Sequence, residues 1–155
     1  MKYILLGIIS LSLFSCSSSQ VTYLVGNNYV GLCNIFVYNK DINKNRSIVL
    51  ENGLGRINSK IMSLSFEVKS LEDKQLLDVI QVGEEKKIDS IKRCVFGLGM
   101  ETSSSSKCIN GDITVVTFFV GNKMEFSEWL MKHEYSWDYF NKRGIDWCQY
   151  YLGVK

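Results

Sequence analysis

Ile113-Thr114-Val115-Val116-Thr117-Phe118-Phe119-Val120-Gly121 runs directly into Asn122-Lys123-Met124-Glu125-Phe126-Ser127-Glu128-Trp129-Leu130-Met131-Lys132-His133. The first part is a near-continuous apolar run of strand-forming residues. In the second, Phe126, Trp129, Leu130 and His133 share a stripe at helical spacing, so Asn122-Lys123 turns the chain into a helix over 124–133. A buried strand followed by an amphipathic helix sets the class as α+β. The residues upstream extend the sheet. Tyr29 to Tyr38 is rich in β-branched and aromatic residues and ends in a polar turn over 39–45. Ser47 to Leu50 reads as a short strand, and Glu51-Asn52-Gly53 is a hairpin signal, because Asn-Gly tolerates positive φ. Met62, Leu64, Phe66 and Val68 alternate with Ser63, Ser65 and Glu67, the period of a strand with one buried face.

One further helix is expected between these strands, and a last short one near the end. Ser70 can cap a helix with Glu72 and Asp73 in its first turn, and Leu71, Leu76, Leu77 and Ile80 can share its inner face. An amphipathic stretch over 84–93 leads into Cys94-Val95-Phe96, the serines 103–106 mark a loop, and 145–152 can form a last short helix. The expectation is a small, mostly antiparallel sheet with two or three helices, as a single domain over 29–155. No internal repeat and no linker divides it.

Composition supports one globular domain. The chain has 155 residues, 46% hydrophobic and 22% charged, which is enough for a core and too apolar for a disordered tail. Eighteen Lys and Arg against 16 Asp and Glu leave a formal charge of +2, so no strong field argues for nucleic acid or an acidic partner.

The first 15 residues read as a leader. Lys2 is a minimal positive region, and Tyr3 to Phe14 is apolar except for Ser10 and Ser12. That stretch is too short to span a bilayer but suits a signal peptide. Leu13-Phe14-Ser15-Cys16 resembles the bacterial lipobox: an aliphatic residue, then a small residue before a cysteine that becomes the new N-terminus. Phe14 is bulkier than the usual residue there. The resemblance implies a diacylglycerol thioether on Cys16 and makes the membrane a partner through that lipid. Residues 16–28 are then lipidated cysteine and tether, with Ser17 to Gln20 as its polar part. Ser17 lacks the Asp that retains many lipoproteins at an inner membrane, so the expected place is the cell envelope, at the outer membrane where a cell has one.

Cys33, Cys94, Cys108 and Cys148 remain after Cys16. An even number fits an exported chain with up to two disulfides, in any of three connectivities. Cys94 and Cys108 would close a staple across the serine loop. No pair has C-x-x-C spacing, and His133 is the one histidine, so neither a metal nor another cofactor is expected. No catalytic set is apparent. His133 falls on an apolar helix stripe, Gly97 and Gly99 give a lone G-x-G, and Lys86, Lys87, Lys92 and Arg93 are offset by Glu84, Glu85 and Asp89. Aromatic residues concentrate after Phe118. Tyr135, Trp137, Tyr139 and Tyr150 alternate with polar residues in irregular chain and are the candidate ligand-binding residues.

Gly121-Asn122-Lys123-Met124, Ser127-Glu128-Trp129-Leu130-Met131 and Tyr135-Ser136-Trp137-Asp138-Tyr139 together resemble the end of the thermonuclease family. That resemblance covers about 25 residues by hydrophobic spacing and implies an OB-like barrel. The family's acidic D-G-D-T motif has no counterpart near the domain's start. Asn110-Gly111-Asp112-Ile113 echoes it in the wrong order, and Gly55-Arg56 comes too early to match the family's D-x-x-G-R. What the resemblance implies is a kept fold without calcium-dependent phosphodiester chemistry. The resulting reading is a membrane-anchored bacterial lipoprotein with a non-enzymatic binding or envelope-associated domain for a protein or glycan. The alternative is an exported, degenerate thermonuclease-like nuclease.

Overall fold

Strand-forming segments dominate the chain, and their apolar faces decide how they pair. The computed structural model describes residues 20–38, 46–60, 66–81, 84, 88–104 and 112–133. These form β1 (Val21–Val25), β2 (Gly31–Tyr38), β3 (Ser47–Val49), β4 (Leu54–Asn58), β5 (Phe66–Ser70), β6 (Val79–Gln81), β7 (Cys94–Ser104), β8 (Asp112–Gly121) and α1 (Lys123–Lys132). One sheet has the order β3-β1-β5 and is parallel throughout. The other has the order β4-β2-β8-β7-β6. In it β8 runs against β2 and β7, while β4 pairs parallel with β2 and β6 parallel with β7.

Each strand of the three-stranded sheet is followed along the chain by a strand of the five-stranded one. The chain thus turns a corner three times, after β1, β3 and β5, and the three passages share no sequence. The corner after β3 is a single hairpin rung. Asn52 and Gly53 both take positive φ, 51° and 76°, and Glu51 and Leu54 exchange backbone hydrogen bonds of 3.1 and 3.0 Å. The Asn-Gly signal is therefore real, but the strands on either side of it diverge into different sheets.

Period two along the strands builds two apolar layers, one on each side of the five-stranded sheet. Cys33, Ile35, Val37, Val95, Phe118 and Val120 point toward the three-stranded sheet and meet Val21, Tyr23, Val25, Ile48 and Val68. Tyr23 packs against both Phe66 and Phe118, at ring-centroid distances of 5.4 and 5.8 Å, and burial pushes its phenol above its ordinary pKa. On the opposite face Leu32, Cys94, Phe96 and Phe119 pack beneath Phe126 and Trp129 of α1. Phe96 stacks on Phe126 at 4.3 Å. α1 begins with a capping box: the Asn122 side chain accepts from the Glu125 N–H, and the Glu125 carboxylate accepts from the Asn122 N–H. Such a cap contributes about 1 kcal/mol.

This architecture corrects the expected fold. The pairing is mixed, with one wholly parallel sheet, in place of a mostly antiparallel sheet or an OB-like barrel. Among the described residues α1 is the one helix, against two or three expected. The capping pattern at Ser70 fails because Ser70 is the last, buried residue of β5. The Ser70 N–H donates to the Gln75 carbonyl across a turn, in which Lys74 takes φ 58° and Asp73 Oδ1 accepts from the Gln75 N–H. The supposed inner face then disperses: Leu77 enters the inter-sheet core, Leu76 is exposed opposite Lys69, and Ile80 packs toward the helix layer. Residues 88–93 run as turns and irregular chain. The expected helix over 145–152 lies outside the described residues. β1 occupies part of the stretch read as tether, and its Val21, Tyr23 and Val25 are buried at the centre of the three-stranded sheet. The polar stretch that precedes it is Ser17 to Gln20.

Candidate functional site

Two places in the described structure gather polar side chains from distant parts of the chain. The first is an open cleft of about 450 Å3 beside β6, lined by Asp78, Ile80, Glu84, Ile88, Asp89 and Lys92. It lies where the helix layer runs out: Ile80 and Ile88 are partly buried against that layer and form an apolar floor. Lys92 and Asp78, both more than half exposed, pair at the rim, and the Asp78 hydrogen bond and charge raise the Lys92 ammonium above its ordinary pKa. Asp89 Oδ1 accepts from the Ile91 N–H at 3.2 Å, and the Lys92 N–H donates to the Asp89 carbonyl at 3.2 Å. One carboxylate thus shapes the turn and another neutralises the lysine. The lining supplies charge and an apolar floor, with no nucleophile set against a base.

The second is the corner between β1 and β2. Arg93 Nη2 donates to the carbonyls of Gly26 at 2.7 Å and Tyr29 at 3.0 Å, and Nη1 reaches Ser70 Oγ at 3.4 Å. Desolvation lowers the Arg93 pKa most, and the charges around it, including Glu72, act the other way. The Asn27 N–H donates to Glu72 Oε2 at 2.8 Å, and Tyr29 Oη donates to the Leu32 carbonyl at 2.5 Å. This cluster ties three corners together, and within it the buried Asn27 Oδ1 and Arg93 Nε have no hydrogen-bond partner. Sequence reading placed Arg93 in a solvated basic cluster. The only signal against that was its position immediately before the buried strand Cys94-Val95-Phe96.

The residues singled out from the sequence come together only in part. Cys33 and Cys94 are both buried, but Cys33 faces the inter-sheet core and Cys94 the helix layer, so no bond joins these two. Burial pushes the Cys94 thiol up, which leaves it a poor nucleophile. Cys108 and Cys148 lie outside the described residues, as do Cys16 and the aromatic set Tyr135, Trp137, Tyr139 and Tyr150. His133 caps the C-terminal end of α1, its N–H donating to the Trp129 carbonyl and its ring 5.6 Å from the Trp129 ring. Gly97 and Gly99 flank a register shift between β7 and β8, and Gly99 takes φ 123°. The G-x-G is a strand irregularity, where glycine tolerates a backbone that other residues resist. Among the described residues no group of three or more His, Cys, Asp or Glu could hold a metal ion.

No protein-family model matches the chain, and no curated protein matches it. A crystal structure named "Putative Lipoprotein from Bacillus anthracis" is similar over 67% of this chain and 71% of that one, at 11% identity and a TM-score of 0.40. A likeness that slight bears no weight for fold or function. No counterpart of the thermonuclease resemblance emerged, and the two-sheet architecture removes the barrel that it implied.

Proposed function

We propose that this chain is an exported lipoprotein, trimmed before Cys16 and held by lipid on that cysteine to a bacterial membrane. Its domain binds a partner and catalyses no reaction. One observation carries the anchoring: Leu13-Phe14-Ser15-Cys16 stands just before Ser17 to Gln20, and the first strand starts at Val21. A cut before Cys16 removes no residue of the described domain and leaves a short polar stretch between lipid and sheet. Two acyl chains hold a protein stably where one does not. Among the described residues no helix is long and apolar enough to cross a membrane.

Metabolic labelling with a fatty acid tests the anchor. The parent chain takes up label and Cys16→Ala does not; label that persists in Cys16→Ala overturns the reading. The envelope is the expected location, at the outer membrane where one exists, because Ser17 follows the cysteine. The binding role rests on the aromatic concentration, with Tyr135, Trp137, Tyr139 and Tyr150 meeting a protein or glycan. Its check is the folding stability of Trp137→Ala and Tyr139→Ala. A loss of about 3 kcal/mol or more in both marks them as core residues and removes the binding face. The nuclease alternative is set aside with the barrel on which it depended.

A further inference from the structure

The three-stranded sheet turns one face inward and leaves the other to solvent. Val21, Tyr23, Val25, Ile48 and Val68 fill the inter-sheet core, so the alternate residues of β1, β3 and β5 point outward. Register sets them in two rows across the strands. Ser47, Thr22 and Glu67 form the first row, and Val49, Leu24 and Lys69 the second. Leu76, bridged to Lys69, extends the second row beyond β5. Val49 is 48% exposed and Leu76 54%, and Leu24 between them is half-buried. Glu67 and Lys69 are the outward charges of these strands, and they pair with each other at 2.8 Å. Sheets that are parallel throughout ordinarily have both faces covered. Here the outward face is open and neutral, with an apolar row beside a row that carries two hydroxyls.

We infer that this open face joins two copies of the chain on one membrane, stacked about a two-fold axis that runs along the strands. A face whose ions are already paired offers nothing to steer a charged partner, and a two-fold contact needs only a surface complementary to itself. About that axis each row meets its own copy with the strand order reversed. Leu24 lies on Leu24 of the second copy, Val49 on the stem of Lys69 and Ser47 on Glu67, and no two like charges are opposed. An axis across the strands would set Glu67 over Lys69, but it would lay the apolar row on hydroxyls and send the two chain starts out at opposite ends. With the axis along the strands both starts leave at one end, because β1, β3 and β5 run parallel. That choice rests on the lipid anchor proposed above: five residue steps from Cys16 to Val21 reach about 17 Å at full extension, and two starts at one end suit two lipids in one bilayer. Three short strands offer roughly 200 Å2 of face per copy, against about 800 Å2 per partner in a standard interface. The pairing therefore depends on confinement to the membrane, which raises the effective concentration of one copy for the other.

The test uses membranes of cells that make the full chain, after fatty-acid label on Cys16 is confirmed. A photoreactive benzophenone side chain replaces Ser47, on the open face, or Glu128, on the exposed side of α1. Irradiation is expected to give adducts of two copies several-fold more often from 47 than from 128, with the new bond mapped to β5 of the second copy. Val49→Lys, at an exposed position, sets an ammonium against that of Lys69 and lowers the yield at 47 several-fold. Adding Lys69→Glu to it restores the yield. Equal yields from 47 and 128, or adducts from 47 that carry a different protein, overturn the pairing. A bond mapped to β3 overturns the axis along the strands, and so does a yield that Val49→Lys leaves unchanged. Absence of label is a separate result, which overturns the anchor itself.

Discussion

The corner after β3 and the corner after β1 do the same work by opposite means. Both pass the chain from the three-stranded sheet to the five-stranded one. After β3 the turn is local: Asn52 and Gly53 supply positive φ, and one pair of hydrogen bonds between Glu51 and Leu54 closes it. After β1 the loop has little local closure beyond the Tyr29 N–H donating to the Gly26 carbonyl at 3.0 Å. It is fixed by Arg93, 67 positions from Gly26 along the chain, and by Glu72, 45 positions from Asn27. A turn built from backbone preference can be read from two residues. A turn built from a distant guanidinium cannot.

The two corners also touch, and the strongest perturbation lies at that contact. A Cβ on Gly53 would stand 2.0 Å from Tyr29 Oη and 2.5 Å from the Leu32 carbonyl oxygen, at a φ of 76° that other side chains resist. Gly53→Ala is expected to cost about 4 kcal/mol, from backbone strain together with overpacking, measured by denaturant unfolding. Adding Tyr29→Phe removes the hydroxyl contact but not the carbonyl one, so only part of the loss should return. Full recovery would place the whole cost on Tyr29 and separate the corners. Arg93→Ala comes next, at about 3 kcal/mol, because it strips a charged donor from two carbonyls at once. Arg93→Lys should recover less than half, since an ammonium lacks the planar fork that spans Gly26 and Tyr29. Complete rescue by lysine would reduce the clamp to a point charge.

The same contrast explains what the sequence disclosed. α1 was legible because its determinants are local: Asn122 and Glu125 close the capping box, and Phe126 and Trp129 repeat at helical spacing. β8 was legible from the run of Ile113 to Val120, and β3 from Ser47 to Leu50. The partners of these strands were not. Parallel pairing joins residues far apart, as Tyr23 with Val68, and leaves no turn motif between them. The segment 70–80 misled because four apolar residues and a capping serine fit a helix locally, whereas the native structure sends those residues to three environments. Four positions give a helix little to offset its nucleation cost. The candidate site was less legible still. Cleft residues Asp78 and Lys92 are 14 positions apart and meet only because β6 lies beside β7.

A smaller effect tests whether the β3 corner is as local as its geometry suggests. Asn52 takes φ 51°, a conformation that asparagine visits more readily than alanine does. Asn52→Ala is expected to cost about 1 kcal/mol, and Asn52→Gly should cost nothing or stabilise slightly. Neither change should alter the effect of Arg93→Ala, so a double-mutant cycle between positions 52 and 93 should sum within about 0.5 kcal/mol. Strong coupling would show that the clamp reaches across Tyr29, whose Oη also lies 3.4 Å from the Asn52 carbonyl oxygen.

The smallest expected effect is electrostatic, and it separates the corners by mechanism. Glu72 accepts the Asn27 N–H in an exposed position, and its charge acts on Arg93 as well. Glu72→Gln keeps an acceptor for Asn27 while deleting the charge. An exposed charge of this kind contributes about 0.5 kcal/mol, and salt screens it. The loss should therefore be measurable at low ionic strength and fade as salt rises, when unfolding curves are compared across a salt series. Gly53→Ala, whose cost is steric, should lose the same amount at every salt concentration. If Glu72→Gln stays equally costly in high salt, hydrogen-bond geometry at Asn27 rather than charge holds the β1 corner, and Arg93 would have to be read as a packing residue with a fork of donors.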